Sequence, residues 1–182
     1  VVVVIAFSFI NLAYEATLGV LGPIATKEHN GGPKEWSWVI AAITLGMIVG
    51  GVLALKIHMS RPLLVGILPE IFVGLWIFII GVPNQLVATL LLAFATGISI
   101  EIFYVAWSTS MQQHIPSESY SRVISYDALG SYALAPIGLV VIGPIIEAIG
   151  VAQTSRLLAI MTVITVVTPL AFREVRNLRN VA

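Results

Sequence analysis

Long apolar stretches alternate with short polar ones along the whole chain. Six of them are candidate membrane crossings: Val1–Ala25, Trp38–Ile57, Pro62–Val82, Leu86–Met111, Val123–Ile149 and Leu157–Phe172, the last reaching full length only if it begins near Gln153. A membrane helix takes about 20 mostly apolar residues. Barrel strands would run about 10 residues with strict alternation, and no such alternation occurs. Backbone groups in hydrocarbon must bond internally, so helices remain. The pattern predicts an all-α, polytopic membrane fold. It forms a single six-helix bundle over 1–182, with spans near 1–25, 38–57, 62–82, 86–111, 123–149 and 153–172.

The polar connections predict the topology. Residues 26–37 (TKEHNGGPKEWS) read as a loop, as do 112–121 (QQHIPSESYS), the latter with room for a helical turn after Pro116. His58-Met59-Ser60-Arg61 and Pro83-Asn84 read as tight turns, 150–155 as a short turn, and 173–182 as a basic tail. One side of the membrane then receives Lys56, Arg61, Arg122, Arg173, Arg176 and Arg179, and the other Lys27, Lys34 and Arg156. The positive-inside bias makes the first side cytoplasmic, with both ends of the segment there. Trp36 and Trp38 suit an aromatic belt at the outer interface, although Trp38 equally suits inward packing.

Composition narrows the function classes. The chain is 58% hydrophobic and 10% charged, with mean hydropathy +1.01, against about 25% charged residues in soluble domains. Nine basic and nine acidic side chains cancel, so no nucleic acid partner is expected. Without cysteine there is no disulfide, thiol chemistry or Cys-based metal site. His29, His58 and His114 lie in separate loops without metal-site spacing, and no nucleotide fingerprint or nucleophile–base pair is present. Neither enzymatic activity nor a cofactor or metal is expected. The start, Val1-Val2-Val3-Val4, has no Met and no basic leader. It reads as a chain cut at the start of a span, a piece of a longer protein.

The candidate chemistry lies in acids at membrane depth. Such groups are costly and tend to face a bundle interior or a wet cavity. Glu15, Glu70 and Glu101 occupy three spans with no Lys or Arg in comparable central positions, which suggests handling of protons or cations. Glu101 is the leading candidate for coupling or for facing substrate; its plainer reading is a buried acid hydrogen-bonded to a neighbouring helix. Glu15 has Asn11 one turn earlier on the same face, forming either a polar patch on a cavity wall or an acid snorkelling outward. Tyr104, with Phe103 and Trp107, can stack on an aromatic substrate or pack against helices and lipid. Glu70 follows Pro69, which frees a carbonyl and can kink the helix. A structural role is favoured for that pair, with the acid turned toward the second or fifth span. Asp127 stands about one turn inside the fifth span, favourable at a helix N-terminus, or else forms a gate partly paired with Arg122. Gly46, Gly50 and Gly51, and likewise Gly130 and Gly138, are close-packing positions, while Pro136 and Pro144 can bend the fifth span.

Val39-Ile40 and Leu45-Gly46 recur as Val123-Ile124 and Leu129-Gly130, an offset of 84, and Glu15 recurs as Glu101 at an offset of 86. Around the second copy stands Pro116, then Arg122-Val123-x-Ser125-x-Asp127-x-Leu129-Gly130-Ser131, Pro136-x-Gly138 and Gly143-Pro144. This resembles the eleventh helix of the major facilitator superfamily, in its branch of macrolide-like and siderophore exporters. Gly50-Gly51-x-Leu53-x-Leu55-Lys56 with Arg61-Pro62 is similar to that branch's loop between helices eight and nine, except that Leu55 stands where the superfamily has an Asp.

The resemblance implies helices seven to twelve, a C-terminal half built as a 3+3 inverted repeat. It implies alternating access around a central cavity lined by the first, second, fourth and fifth spans, with the third and sixth as outer supports. It also implies that the Asp127 position meets a basic loop of the other half. The expected function is proton-coupled efflux of amphipathic small molecules. Its partners would be the missing N-terminal six-helix half, the lipid bilayer, a small-molecule substrate and protons, in the plasma (inner) membrane. The competing expectation is a non-transporting six-span scaffold or assembly partner.

Overall fold

A computed structural model describes residues 2–57 and 61–178. His58, Met59, Ser60 and Arg179, assigned above to the basic turn and tail, lie outside the described residues. Six helices long and apolar enough to cross a membrane are present: α1 (Val2–His29), α2 (Pro33–Lys56), α3 (Pro62–Ile80), α4 (Leu86–His114), α5 (Ser117–Ile149) and α6 (Val151–Leu170). A short α7 (Arg173–Asn177) follows, and there is no strand among the described residues. The fold is all-α and polytopic.

Except for α3, which stops at Ile80, the helices are longer than the apolar runs, and the loops beside them correspondingly shorter. Most of 26–37 is helical: α1 continues to His29 and α2 starts at Pro33. Polar residues extend a membrane helix past the hydrocarbon because water and headgroups accept them there. The chain reverses at Gly31 (φ +123°), and Pro33, whose missing N–H costs nothing in a first turn, starts the next helix. Likewise α4 runs through His114 and α5 starts after Pro116. The turn expected over 150–155 reduces to Gly150 (φ +81°), and α6 begins at Val151.

Three helices carry local breaks, each at a proline. In α1 a π-helical turn occupies Thr17–Leu21, closed by the Gly22 N–H bonding back five residues to the Thr17 carbonyl. Pro23 follows, and its ring cannot accept the ordinary helical neighbour four residues back. In α3 the turn at Leu68–Glu70 tightens to 3₁₀ around Pro69. In α5 the helix loosens at Ala133–Leu134, just before Pro136.

Two parallel helix pairs form the framework. Gly46 and Gly50 of α2 meet the α4 backbone at Phe94 and Ile98, and Gly97 of α4 meets the Ile43 carbonyl; side chains at Gly46 or Gly97 would overlap those oxygens. Leu45, Ile48, Val52 and Leu55 form the opposite, exposed stripe of α2. The second pair is α1 with α5, where Ser8 Oγ donates to the Gly130 carbonyl. Asn11 Nδ2 donates to the Ser131 carbonyl at 3.0 Å, and Gly138 lies against the Leu12 carbonyl. Helix association in lipid rests on such close packing and interhelical hydrogen bonds.

The third helix of each triplet lies behind these pairs. α3 packs antiparallel on α6, with Gly74 against Val163 and Gly81 against Ser155; α3 also packs on α4, and α6 on α1. Exchanging α1 with α4, α2 with α5 and α3 with α6 reproduces this set of pairings, the pattern that an inverted three-helix repeat generates. Gly46 and Gly130, related by the 84-residue offset, hold corresponding close approaches in the two pairs.

Candidate functional site

A cavity of about 560 Å³ lies between α1, α4 and α5, with Met47 of α2 and Glu70 and Val73 of α3 completing its wall. Small-molecule sites typically span about 300–1,000 Å³. α1 contributes Phe7, Asn11, Tyr14 and Glu15; α4 contributes Phe103, Tyr104, Trp107 and Gln112; α5 contributes Tyr120, Asp127, Ser131 and Tyr132. The cavity therefore runs from mid-helix, at Glu15 and Glu70, toward the end where α1 starts, α4 finishes and α5 starts.

Its aromatic lining is organised. The Phe7 and Phe103 rings stack across α1 and α4 with centroids 3.7 Å apart, and Phe103 stacks in turn on Trp107 at 6.1 Å. Tyr14 lies against Trp76 of α3 at 6.0 Å. Tyr104, by contrast, is 62% exposed, a free aromatic face at the wall.

Three acids border the space. Glu15 is half-buried. Asp127 accepts a 2.9 Å hydrogen bond from the Trp107 indole N–H through Oδ2, while its Oδ1 is buried without a partner. Glu70 is 2% exposed, and its Oε1 also has no partner. Tyr14 lines the same wall as Glu15 and Glu70. No residue of the wall is Lys, Arg or His. No cluster of His, Cys, Asp or Glu fit to hold a metal occurs among the described residues.

The acids expected to share one surface fall on different ones. Glu101 does not border the cavity: it turns to α2, where its side chain covers Gly50 and Gly51. One residue step is about 100° around a helix, enough to move an acid from the cavity to a helix seam, and two adjacent glycines leave room for it there. Glu70 does border the cavity, rather than turning toward α2 or α5. It does so from the 3₁₀ turn that follows Pro69. Arg122 is exposed and absent from the wall, and no ion pair joins it to Asp127 among the described residues; the Asp127 partner is Trp107 instead. Asn11, Glu15, Tyr104 and Asp127 share the one concave surface. Pro136 is exposed at the break in α5.

The sequence reading did not single out the Phe7–Phe103 stack, the π-helical turn two residues beyond Glu15, or the polar contacts of Ser8. Gly22-Pro23 inside an apolar run was the available signal for the second. Nothing in the sequence pairs Phe7 with Phe103.

No model of a known protein family matches the chain, and no solved structure matches it. It is 25% identical over 151 residues to the multidrug efflux pump Tap of Mycolicibacterium fortuitum, a stretch covering 80% of this chain and 36% of that pump. The chain thus spans about a third of the length of this curated relative.

Proposed function

We propose that the chain is the C-terminal six-helix half of a major facilitator transporter that exports amphipathic small molecules in exchange for protons. The observation that carries this reading is the cavity. It has an aromatic wall, a volume suited to a small organic molecule, and carboxyl groups at membrane depth with no basic residue beside them. An apolar ring system finds stacking partners in Phe103, Trp107 and Tyr104, while Glu15 supplies a group that can exchange a proton with the open end.

Further support comes from the pairing of helices as two related triplets and from the similarity to a multidrug efflux pump, which points to transport rather than catalysis. The excess of Lys and Arg at the open end supports a cytoplasmic placing of that end, and the membrane of this reading is the plasma membrane. The site is then inward-facing, and the opposite wall belongs to an N-terminal six-helix half. Alternating access follows if protonation and substrate bind the inward and outward states with different affinity, since a ligand shifts an equilibrium only through such a difference.

The test is dye efflux from proteoliposomes of the full-length protein under an imposed pH gradient. Export that follows the gradient and stops with a protonophore is expected. Absence of gradient-driven movement across a panel of amphipathic dyes overturns the proposal.

A further inference from the structure

We propose that Glu70 is a cation-binding group of the cavity, receiving the positive charge of an apolar organic cation whose aromatic body lies on the Phe103–Trp107 wall. This deepens, and rests on, the transport reading above.

Glu70 belongs to α3, which packs on α4 and α6 rather than forming the cavity's main wall. Only Glu70 and Val73 of α3 reach the lining. Glu70 closes the 3₁₀ turn at Leu68–Glu70. It is nearly inaccessible, and its Oε1 meets no donor. Native buried polar atoms are almost always hydrogen-bonded, so an unpartnered one calls for an explanation. An ionised carboxylate in such a place is unfavourable without a counter-charge. The wall offers no Lys, Arg or His, so when the acid is ionised its counter-charge comes with the occupant. Tyr14 lines the same wall as Glu70 and Glu15, its ring tilted against Trp76 with centroids 6.0 Å apart. An ammonium group entering there meets aromatic faces as well as carboxylates, and both attract cations.

A structural acid would behave differently. One that held helices together would be hydrogen-bonded to a neighbour, as Thr96 Oγ1 is to the Phe72 carbonyl at 3.0 Å, two residues along. Glu101 lacks this setting altogether, lying against Gly50 and Gly51 outside the wall.

The experiment measures binding to the full-length protein of an aryl-trimethylammonium probe and of its neutral tert-butyl isostere, equal in shape. Wild type is expected to bind the cation more tightly than the isostere. Glu70→Gln should weaken the cation about tenfold or more, the worth of one charge-assisted contact, with the isostere unchanged within about twofold, and Glu70→Asp should restore most of the loss. Equal weakening of both probes, or no change in either, overturns the proposal.

A second measurement needs no variant. The cation, at saturation, should protect Glu70 of the wild type from a hydrophobic carbodiimide, read by mass spectrometry of the modified peptide. Equal protection by both probes, or by neither, also overturns it. If the protein exports dyes along a pH gradient yet shows no Glu70-dependent preference for the cation, this assignment fails and the transport reading stands. If it exports nothing, the transport reading itself fails.

Discussion

The indole N–H of Trp107 donates to Asp127 Oδ2 at 2.9 Å, joining α4 to α5 beside the cavity. Around this bond the first half of α5, Ser117–Tyr132, buries no residue. Polar contacts at Trp107, Ser8 and Asn11 therefore hold that segment in place more than apolar packing does. Trp107→Phe keeps the ring but removes the donor, leaving both Asp127 oxygens without a partner. A loss of about 1–3 kcal/mol is expected, seen as a lower thermal midpoint in detergent and as faster alkylation of a cysteine placed at Ser125. An unchanged midpoint with unchanged alkylation counts against the latch.

Gly97→Ala tests the α2–α4 seam. The new methyl would overlap the Ile43 carbonyl, and backbone cannot move aside as a flexible side chain does. Overpacking of this kind costs about 1–3 kcal/mol. Gly143→Ala is the control, because a side chain there meets nothing within 4 Å; it should be neutral or stabilise by up to about 1 kcal/mol through helix propensity. Thermal unfolding of the two variants side by side decides the matter.

Glu15 and Glu101, matched by sequence position, should separate in transport. Glu15→Gln removes a cavity carboxyl and is expected to lower gradient-driven efflux about tenfold or more, the scale of one lost interaction with a charged group. Glu101→Gln alters a side chain lying over Gly50 and Gly51 and should leave efflux within about twofold of wild type, on the scale of an ordinary surface change. The reverse order of effects would show that the cavity wall is not the working surface.

Pro23→Ala is expected to let the wide turn at Thr17–Leu21 revert to α geometry. Removing one residue's worth of slack rotates the first half of α1 against its end by about 100°. Glu15 and Tyr14 would then leave the wall, and the Ser8 and Asn11 bonds to α5 would part with them, so efflux and the thermal midpoint should both fall. Unaltered efflux would mean the wide turn does not set the position of Glu15.

Much of the fold was legible in the sequence, for one physical reason. Backbone in hydrocarbon has no water to bond with, so every long apolar run must become a helix, and the number of runs sets the number of crossings. Helices start beside Pro33, Pro116 and Gly150, where the apolar runs alone had put the starts later, at Trp38, Val123 and Gln153. What the linear pattern lacked was direction around each helix. A span that is apolar on all sides carries little signal of which face turns inward, so Glu101 looked more promising than Glu15, and Glu70 looked like a structural acid. Tertiary packing decided these cases. The glycine seam between α2 and α4 took Glu101 out of the cavity, and the proline turn in α3 brought Glu70 into it. Sequence determined that acids would lie at membrane depth; only the meeting of helices determined which acids share a cavity, because that depends on rotations of about 100° per residue that hydropathy does not encode.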